Sequence, residues 1–242
     1  MVRVAAVIAG IGADTRRALA RRDPGAIAAP GDLDRVVCGT VPSPVPGVLV
    51  SVNRRRLVSL AAERDCVLRL AVRIGDYLPE GATLFAICGD DAQQAQGDER
   101  RRRAWQAALC RHVAFETERT MEQDAAFGFR QLADVALQAL SPAVNAPTTA
   151  AQAIEEMHDL LRRLVISPSP GDCYRDGSGK PRLLVPHYQL DDFLQLAVAE
   201  IWHNGRTSPQ IPERLRRMLD DLRAVARPEH RAAIEAWREQ VS

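Results

Sequence analysis

RTMEQDAAFGFRQLADVALQALSPAVNAPTTA, from Arg119 to Ala150, contains two helix patterns joined by a polar elbow, and the fold is organised around it. Between residues 124 and 140 the apolar side chains occupy two adjacent helical faces, and a narrow polar stripe contains Arg130 and Asp134, which are spaced as an i,i+4 ion pair. A helix with so wide an apolar surface must be buried on most sides. The helix ends before Pro142, because the residue that precedes a proline is disfavoured in helical conformation.

A second helix follows the elbow and is predicted to begin within residues 145–149, where Pro147 suits the first turn. Its apolar stripe comprises Ala150, Ala153, Ile154, Met157, Leu161 and Leu164. The elbow places four polar side chains near the free amides of this helix: Ser141, Asn145, Thr148 and Thr149. They either cap the helix, with Asn145 or a threonine as the acceptor, or bind a carboxylate or phosphate together with the amides.

A polar cluster precedes the first of these helices and contains Arg119, Gln123 and Asp124, with Glu122 beside them. Acidic residues at a helix start usually only stabilise the helix dipole. A carboxylate held in an apolar site can instead take part in binding or catalysis. Our hypothesis is that Arg119, Gln123 and Asp124 line one ligand pocket together with Asn145.

Outward from this segment, the patterns predict an α+β fold. A small β-rich module, in the order strand, helix, strand, strand, precedes a mainly helical bundle that contains one β-hairpin. We expect a juxtamembrane-like helix in residues 1–24, the β-rich module in residues 25–97 and the helical domain in residues 98–242, with the hairpin near residues 173–187. The predicted strands are 47–52, 66–72, 83–87 and a short one at 113–118, and the further helices are 4–19, 55–64, 99–112, 188–204, 212–226 and one from 228.

Composition excludes several functional classes. The 32 basic and 31 acidic side chains give a net charge of +1, so no overall field favours nucleic acid. The run Arg100–Arg103 could contact phosphate, but its acidic neighbours and the lack of interleaved aromatic residues favour a solvated helix face. Five cysteines without C-x-x-C spacing argue against disulfides and against a structural zinc site, so a reducing cytoplasm is expected. Cys66 and Cys88 are expected to be core residues.

No recognised catalytic or cofactor motif is found in the sequence. Gly179-Lys180 lacks the glycine and the hydroxyl residue that a phosphate-binding loop requires. Cys110 and His112 are too few to hold a metal, so no metal site is predicted. The N-terminal apolar run is too short to span a bilayer, which takes about 20 residues. A signal peptide is the alternative interpretation of that run, but no convincing cleavage site follows it.

The pattern R-T-x-x-Q-D-x-x-F-G-x-x-x-L-x-D-x-A-x-x-A-L-S-P-x-x-N-x-P-x-T-A at residues 119–150 resembles the signature of a predicted membrane protein family, domain of unknown function 2254. Two further stretches resemble the sequence pattern of this family: P-S-P-V-P-G-V-L-V at 42–50 and V-R-I-G-D-Y-L-P-E-G-A-T-L at 72–84. The resemblance implies that membrane helices precede a domain on the cytoplasmic side, and that this chain lacks them. The sequence departs from the family pattern at Ala146, where relatives usually have Asp.

The segment 72–87 is also similar to half of a biotinyl or lipoyl domain. Such a domain needs a lysine on a hairpin turn, and the sole lysine, Lys180, lies elsewhere, so no cofactor is expected.

Two classes of function follow. The first is a sensing or assembly domain that forms a homo-oligomer, associates with a membrane or with a membrane-spanning segment, and binds a small ligand or ion at the elbow. The second is a small hydrolytic or transfer enzyme that uses the carboxylates of Asp124 and Glu122. The resemblance and the absence of catalytic motifs favour the first.

Overall fold

The computed structural model describes residues 2–21, 26–28, 37–89 and 99–241, and it confirms the predicted α+β class. In chain order the elements are α1 (Val2–Ala20), β1 (Val37–Pro42), β2 (Gly47–Val52), α2 (Arg54–Glu63), β3 (Val67–Leu70), β4 (Tyr77–Leu78), β5 (Thr83–Cys88), α3 (Glu99–Cys110), β6 (Val113–Glu116), α4 (Ala125–Leu140), α5 (Pro147–Ile166), β7 (Cys173–Arg175), β8 (Pro181–Leu184), α6 (Leu190–Gly205), α7 (Ile211–Val225), a 3-10 turn (Pro228–His230) and α8 (Arg231–Val241).

The chain forms two compact units, each assembled from separate stretches of sequence. The helical unit comprises residues 1–21, 125–169 and 188–242, and the sheet unit comprises residues 22–124 and 170–187. The hairpin of β7 and β8 therefore belongs with the strands of the β-rich module, although in sequence it lies between helices. The domain boundaries predicted after residues 24 and 97 both lie outside the described residues.

The sheet unit contains a five-stranded sheet in the order β1-β5-β3-β8-β7 and a three-stranded sheet in the order β4-β2-β6. Neighbouring strands run antiparallel except for β3 and β8, which pair in parallel with Leu68 opposite Leu183. This long-range pair brings the hairpin into the sheet. Apolar side chains from both sheets, α2 and α3 share one core, whose largest fully buried members include Leu49, Leu57 and Phe85.

A buried arginine ties the hairpin to the rest of the sheet unit. Arg182 on β8 donates from Nε to Asp176 Oδ2 at 2.6 Å, and its Nη2 lies 2.7 Å from Asp65 Oδ1. Hydrogen bonds from Ser178 and Arg182 hold the pKa of Asp176 well below its usual value. A buried arginine requires such partners, because an isolated buried charge is strongly unfavourable.

The core of the helical unit confirms the prediction for the central segment. On α4 the buried residues are Ala125, Ala126, Gly128, Phe129, Leu132, Ala133, Ala136 and Ala139, so most sides of this helix are covered. The predicted polar stripe remains at the surface, where Arg130 donates from Nε to Asp134 at 2.9 Å and also pairs with Glu200 of α6. Phe129 packs on Phe193 with ring centroids 5.0 Å apart.

One further group in each unit has a shifted pKa with a clear cause. Cys66 and Cys88 are buried in the sheet unit, as expected for core residues, and burial raises the pKa of the Cys66 thiol to about 11. In the helical unit, hydrogen bonding by Arg162 on α5, aided by His158, lowers the pKa of Asp221 on α7 below its ordinary value of 3.8. The first shift reflects burial in the sheet unit, and the second reflects ion pairing between partly exposed side chains of the helical unit.

Candidate functional site

Three residues of the sheet unit, Gly75, Arg119 and Asp124, form a close contact that we call the Asp124 latch. Arg119 Nε and Nη2 each lie 2.8 Å from Asp124 Oδ2. The Asp124 side chain is 1% exposed and that of Arg119 is 24% exposed, so a buried carboxylate faces a half-buried guanidinium. Asp124 is the last residue before α4, and the latch therefore fixes the end of the segment that enters this helix.

Gly75 completes the latch through its backbone conformation and its lack of a side chain. Its φ of +97° is one that residues with a Cβ rarely adopt. A Cβ at this position would overlap Asp124 Oδ2 and would lie 2.9 Å from Arg119 Nη2. The Gly75 amide donates to the carbonyl of Leu49 at 2.8 Å, and the Leu49 amide donates to the carbonyl of Asp76 at 3.0 Å. Glycine is thus required both by the turn and by the carboxylate.

Gln123 provides a second connection between the same segment and the sheet. Its side-chain oxygen accepts a hydrogen bond from the backbone amide of Val52, at the end of β2, at 3.3 Å. Of the residues predicted for the site, the structure thus brings Arg119 and Asp124 into contact, whereas Gln123 binds the backbone of β2. Glu122, the other carboxylate considered for catalysis, is exposed.

The predicted elbow residues lie in the helical unit, between α4 and α5. Ser141 donates its hydroxyl to the carbonyl of Gln138 at 2.8 Å, and Asn145 has a left-handed φ of +44° while its amide donates to the carbonyl of Ser141 at 2.8 Å. Thr148 and Thr149 fall in the first turn of α5. The elbow residues and the latch thus belong to different units, and the pocket that would join Arg119 and Asp124 to Asn145 stays a hypothesis.

The expectation that Asn145 or a threonine caps α5 is wrong. The N-cap residue is Ala146, which has no side-chain acceptor, and no side-chain cap is formed. Asn145 lies one residue too early, and the Ser141 hydroxyl bonds to the preceding helix instead. Pro147 does occupy the first turn, as predicted. Alanine at position 146 has no side-chain acceptor, so it cannot cap the free amides at the start of this helix.

The two halves of α1 have different environments. In the second half, Gly12 and Thr15 are fully enclosed by the helical unit: a Cβ on Gly128 of α4 would overlap Thr15 Oγ1, and Arg16 pairs with Glu156 and Asp159 of α5. In the first half, Val4 is 40% exposed and Val7 is 53% exposed, and Ala5, Ala6, Ala9 and Gly10 are exposed as well. From Val4 to Ala13 the helix carries no polar side chain.

Comparison with known proteins gives the family. The model of the family described as predicted membrane protein (DUF2254) matches residues 1–221. The chain belongs to this predicted membrane protein family. Uncharacterized proteins of Mycobacterium tuberculosis (strain H37Rv) and Mycobacterium bovis are each 32% identical to it over 198 residues, which is 80% of this chain and 36% of each relative. The DUF2254 chain thus spans about a third of the length of the curated relatives it matches.

No solved structure matches this DUF2254 chain. Within the residues that the structure describes, no helix is long and apolar enough to cross a bilayer. Two of the three stretches that carry the family resemblance, 72–84 and 119–150, meet at Gly75 and Asp124. No sequence pattern beyond the Gly75-Asp76 turn indicates this contact, because its two sides are 49 residues apart in the chain.

Proposed function

We propose that this chain is a non-catalytic sensing or assembly domain of a membrane protein, and that the first half of α1 attaches its helical unit to the lipid bilayer. The observation that carries the proposal is the uncharged run Val4–Ala13, in which Ile8 and Gly12 are buried and Ile11 is half-buried but all the other residues are exposed, although the run belongs to a well-packed unit. A helix that is apolar all round requires an apolar environment. Water does not provide one.

The dimensions of the run suit one leaflet of a bilayer. Ten helical residues are about 15 Å long, which is about half of a hydrocarbon core of roughly 30 Å. Complete burial of a valine contributes about 1.5–3 kcal/mol, so the half-exposed side chains of Val4 and Val7 would each contribute roughly 1 kcal/mol on entering lipid. The run alone provides a modest anchor, which would act together with further membrane contacts.

The second half of α1 supports this role because it holds the exposed half in place. Thr15 is enclosed against Gly128, and its hydroxyl donates to the carbonyl of Ile11 at 2.7 Å. Arg16 adds a hydrogen bond to Asp159 at 2.9 Å. Rotation of the helix to bury Val4 and Val7 would expose these contacts, so the apolar surface of the first half is maintained.

The enzyme alternative receives less support from the site. A catalytic carboxylate must reach its substrate, whereas Asp124 is 1% exposed and bound to Arg119. The ligand-binding part of the first hypothesis rests on Arg119 and the elbow residues, and the homo-oligomer is likewise a proposal. Native mass spectrometry tests both: a closed oligomer that retains a small molecule is expected, and a bare monomer would refute both for this chain.

Flotation with neutral phosphatidylcholine vesicles tests attachment by α1. We expect the wild-type chain to float with the vesicles and the Val4→Ser/Val7→Ser variant to remain in the dense fraction. The matched control is Val144→Ser/Ile166→Ser, because these side chains are 52% and 54% exposed in the same unit but lie outside α1. This control should float. A Val4→Ser/Val7→Ser variant that floats as well as wild type would refute the proposal.

A further inference from the structure

A second surface with no assigned role lies at the start of α3 in the sheet unit. Its first residues, from Glu99 to Ala104, are all exposed, and burial begins at Trp105 and continues at Leu109. Four of these residues are consecutive arginines, Arg100–Arg103, which we call the arginine turn. At 3.6 residues per turn, four successive side chains cover about 300° of the helix circumference.

Within the described residues, carboxylates pair with only part of the positive charge of the arginine turn. Arg103 pairs with Glu99, whereas Arg101 and Arg102 have no carboxylate partner among the described residues. In the sequence, Asp98 precedes the turn, outside the described part of the chain. Cations are also unfavourable at a helix N-terminus, where they oppose the helix dipole by about 0.3–1 kcal/mol each. The stability of α3 therefore does not account for this run.

We propose that the arginine turn docks on the anionic phospholipid headgroups of a membrane. Guanidinium groups bind phosphate with two donors at once, and each basic side chain near an anionic bilayer increases the affinity for it about fivefold. Arginines directed to nearly all sides of a helix suit a headgroup layer, in which phosphates surround an inserted turn. The proposal rests on the membrane role proposed above, but it depends on a different unit and on different residues.

The nearby aromatic side chain argues against single-stranded nucleic acid as the partner. Such binding combines basic side chains with aromatic rings on which bases stack. Trp105 is buried, and the Arg64 guanidinium lies over its ring, 5.2 Å from the centroid. The ring is thus already covered. The net charge of +1 likewise provides no general attraction for a polyanion.

The test compares neutral phosphatidylcholine vesicles with vesicles that also contain phosphatidylglycerol, using the full chain in about 0.15 M salt. We expect wild type to bind the anionic vesicles more tightly and Arg101→Gln/Arg102→Gln to lose about thirtyfold of that affinity, at about 1 kcal/mol per arginine. Binding to neutral vesicles should not change. The matched control is Arg55→Gln/Arg56→Gln, which removes the same charge from an exposed first turn of α2 in the same unit and should bind as wild type does.

The outcomes separate this inference from the proposed attachment by α1. Unchanged binding of Arg101→Gln/Arg102→Gln to anionic vesicles would overturn the lipid site alone. An equal loss in Arg55→Gln/Arg56→Gln would mean that net charge and not the arginine turn is responsible, and would also overturn it. So would arginine-dependent binding of a DNA duplex without vesicle binding. Loss of neutral-vesicle binding in Val4→Ser/Val7→Ser concerns α1 and leaves the arginine turn unaffected.

Discussion

Replacing Gly75 by alanine tests whether the Asp124 latch holds the sheet unit together. The substitution should lower the free energy of unfolding for two reasons. An alanine at a φ of +97° is strained by roughly 1–2 kcal/mol. The new Cβ would also overlap Asp124 Oδ2 and lie 3.0 Å from Asp124 Cγ, so the carboxylate must leave Arg119. Breaking a buried ion pair costs about 3–5 kcal/mol. We expect the free energy of unfolding to fall by roughly 4–7 kcal/mol in total, a large fraction of the stability of a typical domain.

Gly81→Ala is the matched control for the backbone part of this cost. Gly81 also has a positive φ, +78°, but a Cβ there would have no neighbour within 4 Å. The free energy of unfolding should therefore fall by only about 1–2 kcal/mol in Gly81→Ala. The excess of Gly75→Ala over Gly81→Ala, about 3–5 kcal/mol, measures the steric effect on the latch.

Native-state hydrogen exchange read by mass spectrometry is the appropriate assay, because it reports the opening free energy of the sheet unit separately from the helical unit. Peptides that cover β2 and residues 72–78 contain the reporting amides of Leu49 and Gly75. The decisive comparison repeats Gly75→Ala in an Asp124→Ala background. There the overlapping carboxylate is absent, and the added cost should fall to about the Gly81→Ala value. An undiminished cost would show that Asp124 is not the obstacle.

Three further predictions concern the helical unit. Ala146→Asp should stabilise the chain by about 1 kcal/mol in urea unfolding, because it supplies the missing N-cap of α5; no gain would contradict the assigned cap. Gly128→Ala should destabilise the chain by about 1–3 kcal/mol, since the new Cβ would lie 2.9 Å from Thr15 Cβ. Gly10→Ala, whose Cβ would have no neighbour within 4 Å, should instead stabilise the chain by about 0.5–1 kcal/mol. The pKa of Asp221 is lowered in the folded chain, so its contribution to stability is complete above the unfolded pKa of about 3.8 and is lost as the pH falls further. In thermal melts, the melting temperature should therefore fall less between pH 5 and pH 3 for Asp221→Asn than for wild type.

Local patterns allowed much of the fold to be predicted. The apolar faces of α4 and α5 follow helical periodicity, so their burial and the Arg130–Asp134 pair could be foreseen. The parallel pairing of β3 with β8 could not, because it joins strands that are over a hundred residues apart and neither strand encodes its partner. The two-residue strand β4 was too short to produce an alternating pattern.

In the candidate site, too, local features could be predicted from the sequence and long-range contacts could not. A polar cluster at Arg119, Gln123 and Asp124 was visible in the sequence, but its partner Gly75 was not, because a required glycine is recognised only from φ and from the atoms around it. The cap of α5 was misplaced by one residue, because the choice between Asn145 and Ala146 depends on which residue takes the left-handed conformation. Backbone geometry of this kind is set by the packing of the helices on both sides of the elbow.

The Asp124 latch also limits which ligand this part of the protein can bind. Asp124 is enclosed and already faces a guanidinium, so a cation would have to displace Arg119 and open the segment that leads into α4. Of the two charged side chains, that of Arg119 is the more exposed, at 24% against 1% for Asp124. A ligand of the closed latch must therefore approach from the arginine side, where acceptor groups are favoured. The elbow residues favour the same class, since α5 begins with uncapped amides that attract negative charge. We therefore expect any ligand of these residues to be a small anion or a polar acceptor, such as a carboxylate or a phosphate.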